Sequence, residues 1–506
     1  MPKSKRTRSS SKPPSQRTAL MNFWDKKSLG TWLQKYFWCI VILLALFVRF
    51  WKIEYIPYAN DADELAYIWA GQSLTEFGMP VSWSSFEHAA TQWYWLEVPS
   101  DVFSDQYVMR VKFIKPWFDH SFVLPIIMGT WSHLLGYSFP EIPPAVWYRL
   151  PFLVLAGINL TLVYQIAKKV FGNLSALFAL SILSFSPMFL LAQRMVVSEN
   201  LLTTFLLLTI YFFFTERPLW SVILATGLAG LVKLPGLFVL PIITFALLDQ
   251  RKYKSAVLYF VAVSLFVLVG YLGYGALIDL PNFLAAMHDQ SSRLLGWSNP
   301  AFIFSHPGFH TKAVLDLSYY LILFLGLLIF FVPQTKETKL LSLLTLASLF
   351  TIWMTSAEQD MLGWYKIPLF SLLAINSAAV FSFNLQTVEK SKKKALTIPL
   401  FIPVLVTLTL INNMGVVRFP ESPFPEAQLL RMIVLGLLGV TLLFTYLESL
   451  KKFLPWILIA VMILYAGQSF YIVDRYFEAN CKDRTCPTPT VTLRQKVSDF
   501  LKTTFQ

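Results

Sequence analysis

Three carboxylates stand at the head of a helical pattern in the stretch Tyr58-Ala59-Asn60-Asp61-Ala62-Asp63-Glu64-Leu65-Ala66-Tyr67. A carboxylate at a helix N-terminus feels the positive end of the peptide dipoles and stays ionised near neutral pH, so Asp63 has the properties of a general base. Asp61 and Glu64 have the spacing of a capping box, a structural role that competes with an acid–base role for both. A second group is Lys115-Pro116-Trp117-Phe118-Asp119-His120-Ser121. Asp119 either caps the helical stretch that follows or joins Asp63. His120 either makes ordinary hydrogen bonds or, with Asp119, ligates a divalent metal. Four cations, Arg149, Arg194, Lys233 and Lys366, lie beside apolar runs and either snorkel to lipid headgroups or gather around a phosphate.

The elements that must position these groups are membrane-spanning helices. Of 506 residues, 56% are hydrophobic and 14% charged, whereas a soluble domain carries about 25% charged residues. Apolar runs long enough to cross hydrocarbon recur along the chain and predict an all-α polytopic protein with about thirteen spans. They include 36–51, 146–167, 172–192, 200–215, 219–232, 234–249, 255–277, 313–333, 340–356 and 364–384, then 396–412, 429–447 and 454–473. The pair 219–232 and 234–249 meets at Lys233-Leu234-Pro235-Gly236, a natural break.

The formal charge of +13 falls in short clusters between apolar runs, which is how topology is encoded and argues against a nucleic-acid partner. Lys3 to Lys35 place the N-terminus in the cytoplasm, and with alternating spans each inner loop is basic: Lys168-Lys169, Arg217, Arg251-Lys252, Lys336 with Lys339, Lys390 to Lys394, and Lys451-Lys452. The expected organisation is a basic, disordered cytoplasmic tail over 1–35, a transmembrane domain over 36–473 and an extracytoplasmic tail over 474–506. Cys481 and Cys486 in that last tail are placed to pair if the compartment is oxidising.

The long outer loop 52–145 is acidic and rich in tryptophan, the kind of segment that carries sites. Within it Leu65–Glu76 and Phe122–Leu135 are predicted as short interfacial helices, with Trp69 and Trp131 at headgroup level. The outer loop 278–312, with His288, Asp289, Arg293, Trp297, His306 and His310, is placed to cover a cleft between them.

One chemistry joins an ionised carboxylate to outer-leaflet cations: transfer of a sugar from a polyprenyl phosphate to an acceptor hydroxyl. The carboxylate takes the acceptor proton, and arginine or lysine stabilises the departing phosphate, which leaves without a general acid. A multi-spanning transporter or lipid flippase is the alternative, and it would hold ionisable residues or broken helices near the bilayer midplane.

At these residues the chain resembles the GT-C superfamily of membrane glycosyltransferases, in its protein O-mannosyltransferase and aminoarabinose transferase branch. The motifs are Asp63-Glu64, Asp119-His120, Tyr148-Arg149-Leu150-Pro151, Phe171-Gly172, Arg194 with Ser198-Glu199-Asn200, and Gly363-Trp364-Tyr365-Lys366-Ile367-Pro368-Leu369. The resemblance implies a GT-C type fold and a catalytic group of Asp63, Glu64 and Asp119, with Asp63 the base and Asp119 near the acceptor or a metal. It implies donor-phosphate contacts from Arg194, Lys233 and Arg293, to which the position of Arg149 adds a fourth. Asp61, His120, Glu199, His306, Tyr365 and Lys366 are further site candidates. The donor implied is a polyprenyl-phosphate-linked sugar and the acceptor a protein, lipid or glycan, with inversion at the anomeric carbon. The resemblance fixes no cofactor and allows a divalent metal. The expected setting is a prokaryotic cell membrane, with the site on its outer face among membrane lipids.

Overall fold

The computed structural model describes residues 28–54, 56–57, 62–84, 92–99, 108–292, 303–304, 317–355, 363–390 and 463–471. The protein is a helical, polytopic membrane protein. Helix α1 (Ser28–Phe50) leads to a segment built from α2 (Ala62–Phe77), strands β1 (Ser82–Trp83), β2 (Gln92–Pro99) and β3 (Val108–Lys115), and α3 (Val123–Leu134). The bundle continues through α4 (Ala145–Phe171), α5 (Asn173–Ser184), α6 (Pro187–Ala192), α7 (Ser198–Phe214), α8 (Leu219–Val232), α9 (Val239–Asp249) and α10 (Tyr253–Ile278). It is followed by α11 (Leu280–Ser291), α12 (Leu317–Leu327), α13 (Lys336–Thr355) and α14 (Ile367–Lys390), with a short 3-10 turn, Gly363–Lys366, leading into α14.

Among the described residues four helical stretches are long and apolar enough to cross a bilayer: Ala145–Phe171, Tyr253–Ile278, Lys336–Thr355 and Gly363–Phe383. Shorter apolar helices, Tyr36–Phe50 and Ser198–Phe214 among them, accompany these. The expected spans 396–412 and 429–447, the tail 474–506 with Cys481 and Cys486, and most of the basic tail 1–35 lie outside the described residues.

Proline breaks one expected span and marks the expected break between two others. The run 172–192 divides at Ser186-Pro187, where Pro187 opens α6 because it has no N–H to continue α5. The pair 219–232 and 234–249 separates at Lys233, which is extended (ψ 127°) and followed by a 3-10 turn over Leu234–Phe238 with Pro235 near its start. Lys233 still closes α8, its N–H donating to the Ala229 carbonyl at 3.2 Å, and its extended backbone places it between two helix ends.

A third proline is used differently. Pro151 lies inside α4, where its missing N–H frees the carbonyl of Trp147, four residues earlier. The indole Nε1–H of Trp131 donates to that carbonyl at 2.8 Å, so a defect in α4 becomes the fastening point of α3.

The segment between α1 and α4 is more than the two short helices expected. Its middle is an antiparallel sheet in the order β1-β3-β2, with Ser82 opposite Ile114 and Gln92 opposite Lys115. Val111, Phe113 and Ile114 are buried while Lys115 is exposed. Phe113 meets the edge of Trp69 at a ring separation of 4.9 Å. Trp69 is therefore not a headgroup anchor: it is 1% exposed and its indole N–H donates to the Pro140 carbonyl at 3.0 Å. Helices α2 and α3 cross at Gly71 and Gly129, where a Cβ on either would overlap the backbone of the other helix. Only glycine permits that approach.

At the centre of the bundle, 89% of the residues in the apolar stretch of α14 are buried, against 22% for α10. The first is an internal helix. The second faces the surroundings along most of its length.

Candidate active site

The first turn of α2 carries Asp63 and Glu64, which point into different environments. Glu64 is fully buried. Its Oε1 accepts from the Arg149 Nε at 2.9 Å and from the backbone N–H of Val196 at 3.0 Å, and its Oε2 accepts from the Arg149 Nη2 at 2.5 Å. Both side chains of this pair have zero exposure. Arg149 also donates to the carbonyls of Ile53 at 2.8 Å and Pro57 at 3.0 Å. The pair ties α2, α4 and the exit of α1 into one layer.

That arrangement corrects three sequence expectations. Glu64 is not placed to reach back as a capping box or to exchange protons with a substrate, because an arginine and a backbone amide engage its carboxylate. Arg149 is not placed to grip a donor phosphate, since a carboxylate and two carbonyls take up its guanidinium. Arg194, also fully buried, donates to the carbonyls of Ile56 at 2.7 Å and Val48 at 2.5 Å, so it closes the end of α1, while its Nε has no hydrogen-bond partner among the described residues. Arg49 completes the layer: it donates to Gln193 Oε1 at 3.0 and 2.6 Å and to the Ser184 carbonyl at 2.8 Å. Buried cations must be paired or hydrogen-bonded, and in this layer the chain's own oxygens do so.

A second layer holds Asp63 and Lys233, which are only partly buried. Asp63 is half-buried. One turn later on the same face of α2 stands Tyr67, whose hydroxyl donates to Ser198 Oγ at 3.1 Å. Ser198 in turn donates to Glu199 Oε2 at 3.2 Å, and Glu199 Oε1 receives Lys233 Nζ at 2.5 Å. Lys233 sits over the ring of Tyr365 at 4.4 Å. Its side chain is 20% exposed where that of Glu199 is 4% exposed, so the lysine is the less enclosed of the pair. The start of α2, the α6–α7 junction, the break after α8 and the entry to α14 thereby meet at one place.

Burial pushes the Tyr67 hydroxyl well above the ordinary tyrosine range, and the Glu199 carboxylate pushes it further, with smaller effects from Asp63 and Tyr365. Tyr67 stays protonated and serves as a donor.

His120 stacks on Tyr67 with ring centroids 5.0 Å apart. Beside it Asp119 Oδ2 accepts from Ser84 Oγ at 2.5 Å, and the Asp119 carbonyl accepts from Gln290 Nε2 on α11 at 2.6 Å. The second outer loop thus reaches the first through Gln290 and through Phe283, whose ring lies 5.4 Å from that of Phe118. Asp279 fixes the start of α11 by accepting the Asn282 N–H at 3.1 Å.

Lys366, a further candidate, is fully buried and lies over the Tyr319 ring at 5.0 Å. Asp61, Arg293 and His306 fall outside the described residues. Among the described residues no group of three His, Cys, Asp or Glu side chains is gathered as a metal site. Asp119 and His120 alone do not make up the ligand set of a closed metal centre, so no step is routed through a metal. The site residues missing from the sequence expectations are Tyr67, Ser198 and Ser84. For Tyr67 the signal was its four-residue spacing from Asp63, which puts the two on one helix face. Ser84 and Ser198 are brought in only by tertiary contact.

Residues 127–273 match the family model described as dolichyl-phosphate-mannose-protein mannosyltransferase. The chain resembles the branch of GT-C glycosyltransferases to which its motifs pointed. Among solved structures, it is similar to ArnT from Cupriavidus metallidurans bound to undecaprenyl phosphate. That similarity has 15% identity and a TM-score of 0.47, covering 88% of this chain and 78% of that one. It is also similar to the apo form of the Archaeoglobus fulgidus oligosaccharyltransferase, at 12% identity and a TM-score of 0.46, covering 93% of this chain and 60% of that one. A second structure of the archaeal enzyme, tethered to an acceptor peptide with the NVT sequon, gives 11% identity, a TM-score of 0.45 and coverage of 87% and 56%. No curated protein sequence matches.

Proposed function

We propose that this chain is a membrane glycosyltransferase that moves a sugar from a polyprenyl-phosphate donor to an acceptor hydroxyl at the outer face, with inversion. The observation that carries the reading is the convergence around Tyr67 of a half-buried carboxylate, Asp63, and a partly exposed cation, Lys233 held by Glu199. Asp63 accepts the acceptor's proton as its oxygen forms a bond to the anomeric carbon. The bond from that carbon to the phosphate oxygen breaks, and the polyprenyl phosphate leaves as an anion. Lys233 stabilises the charge gathering on the phosphate, with Glu199 and the Tyr365 ring setting its position. Asp119, held by Ser84, and His120, stacked on Tyr67, line the acceptor side. Arg293 is retained as a second phosphate contact.

Glu64, Arg149, Arg194 and Lys366 are positioning residues in this scheme. The transmembrane domain over 36–473 with a cytoplasmic N-terminus, proposed from the basic inner loops, puts the Asp63 end outside. The test is to incubate the purified protein with polyprenyl-phosphate sugars and an acceptor and to identify products by mass spectrometry. Transfer by the native chain and a loss of about 10²-fold or more in Asp63→Asn are expected. An Asp63→Asn protein that folds normally and transfers at the native rate refutes the assignment.

A further inference from the structure

The end of the bundle remote from Asp63 holds a cavity of about 1170 Å³. Glu199 stands at the start of α7 and Lys233 just after the end of α8, whereas the cavity is lined by the other ends of these helices, at Phe214 and Leu219. A 17-residue helix rises roughly 25 Å, so cavity and catalytic site lie on opposite sides of the hydrophobic slab. This is the end that the basic loops assign to the cytoplasm.

Two helical hairpins form the cavity with the same turn. After α7, Glu216 takes φ 52°, with its N–H donating to the Phe213 carbonyl at 3.2 Å and that of Arg217 to the Phe212 carbonyl at 2.9 Å. After α9, Arg251 takes φ 58°, with its N–H donating to the Leu248 carbonyl at 2.8 Å and that of Lys252 to the Leu247 carbonyl at 2.9 Å. Both are Schellman closures, which satisfy the last carbonyls of each helix. The residue after each left-handed position, Arg217 in one hairpin and Lys252 in the other, is basic and lines the cavity. Lys336 and Lys339, in the first turn of α13, line it from a third side.

These four cations are exposed, and among the described residues none forms an ion pair, although Glu216, Asp249 and Glu337 line the same cavity. Helices α8, α10 and α13 also begin here and add the positive ends of their dipoles. The lining also includes apolar side chains, Phe213, Phe245, Leu340 and Leu343, of which Phe245 and Leu343 are exposed. Cations and apolar side chains in one lining match an amphiphile with an anionic head.

We infer that this cavity is a binding site for an anionic phospholipid of the inner leaflet, its phosphate among Arg217, Lys252, Lys336 and Lys339 and its acyl chains against the apolar wall. The charge complementarity carries the choice of occupant. The rim sets four cations and three helix N-termini against three carboxylates, a balance that favours a net-anionic head over a zwitterionic one, and a soluble phosphate leaves the apolar wall uncovered.

The test uses the full chain in detergent, titrated with phosphatidylglycerol or phosphatidylcholine and read by native mass spectrometry, with glycerol 3-phosphate as a headgroup-only competitor. The native chain is expected to bind phosphatidylglycerol at about tenfold lower concentration than phosphatidylcholine. Excess glycerol 3-phosphate should not displace the lipid. Arg217→Gln with Lys336→Gln should weaken phosphatidylglycerol binding about 30-fold, while Lys168→Gln with Lys169→Gln, in another basic loop, should leave it unchanged. Equal binding of the two lipids overturns the site, as does an equal loss in both double variants, which would mark diffuse surface attraction. Displacement by glycerol 3-phosphate also overturns it. The two-lipid comparison and the competition use the native chain, so they decide the matter even if a variant fails to fold.

Discussion

Asp63 and Glu64 are neighbours in sequence and opposites in role, and exchanging each for its amide separates the roles. In Glu64→Gln the amide oxygen can keep the bonds from Arg149 Nε and Val196 N–H that Glu64 Oε1 now accepts. The amide nitrogen must then replace Oε2 and face Arg149 Nη2, a donor against a donor where a 2.5 Å ion pair stood. Breaking one partner of a buried pair costs about 3–5 kcal/mol because the remaining charge is left uncompensated. Two of three contacts survive in the amide, so the lower end, about 3 kcal/mol, is expected. Glu64→Ala loses all three and should approach the upper end. Combining Glu64→Leu with Arg149→Met removes both charges and should cost less than the sum of the single changes. It will not reach the native level, because the Ile53 and Pro57 carbonyls then lose their donor. Asp63→Asn should leave stability nearly unchanged while abolishing transfer. Thermal unfolding in detergent, followed by chromatography of the folded fraction, reads the stability, and transfer of a lipid-linked sugar reads the activity. An unchanged midpoint in Glu64→Gln, or equal destabilisation by both amides, refutes the division of labour between the layers.

Lys233→Met should raise KM for the lipid-phosphate donor and lower kcat, with Lys233→Arg recovering part of the loss; steady-state kinetics with varied donor would show an unchanged KM if the assignment is wrong. Gly129→Ala should push α2 away from α3 and cost about 1–3 kcal/mol, measured as a lowered unfolding midpoint, because the new methyl overlaps the Gly71 carbonyl. Trp131→Phe should cost about 1 kcal/mol by leaving the Trp147 carbonyl without its donor, a loss that the same unfolding assay detects. Tyr67 is held protonated by its surroundings, so above pH about 10 the unfolded chain gains an ionisation that the folded chain resists. Stability should fall as pH rises through that range up to the raised folded value, more steeply in the native protein than in Tyr67→Phe, as unfolding midpoints against pH will show.

The helical layout was legible because hydrocarbon admits few backbone solutions and apolar runs mark them. The break at Lys233 was legible for the same reason, since Pro235 and Gly236 punctuate the run. Spacing also located α2 and α3 in the segment between α1 and α4. The sheet was harder to read: Arg110 and Lys112 alternate with Val111 and Phe113 with period two, but the pairing with β2 depends on a partner distant in sequence. Charge sign alone misassigned Arg149 and Arg194. A buried arginine serving carbonyls and one awaiting phosphate have the same sequence surroundings, and which it is depends on the oxygens that the fold brings within reach. Trp69 was misplaced likewise, because aromatic residues suit both a headgroup belt and a compact outer core. The gathering of Ser198 and Ser84 around Tyr67 and Asp119 required tertiary structure, since no periodicity connects them.

Tyr365 and Lys366 sit at the threshold of the most enclosed of the four long apolar helices among the described residues, and that enclosure sets how the protein answers to its surroundings. Bilayer thickness and lateral pressure act first on margins such as α10, which meets the surroundings along most of its length. Helix α14, wrapped by its neighbours, passes little of that strain to the ring beneath Lys233. Activity should therefore vary less with membrane composition than the exposed apolar area of the bundle alone would suggest.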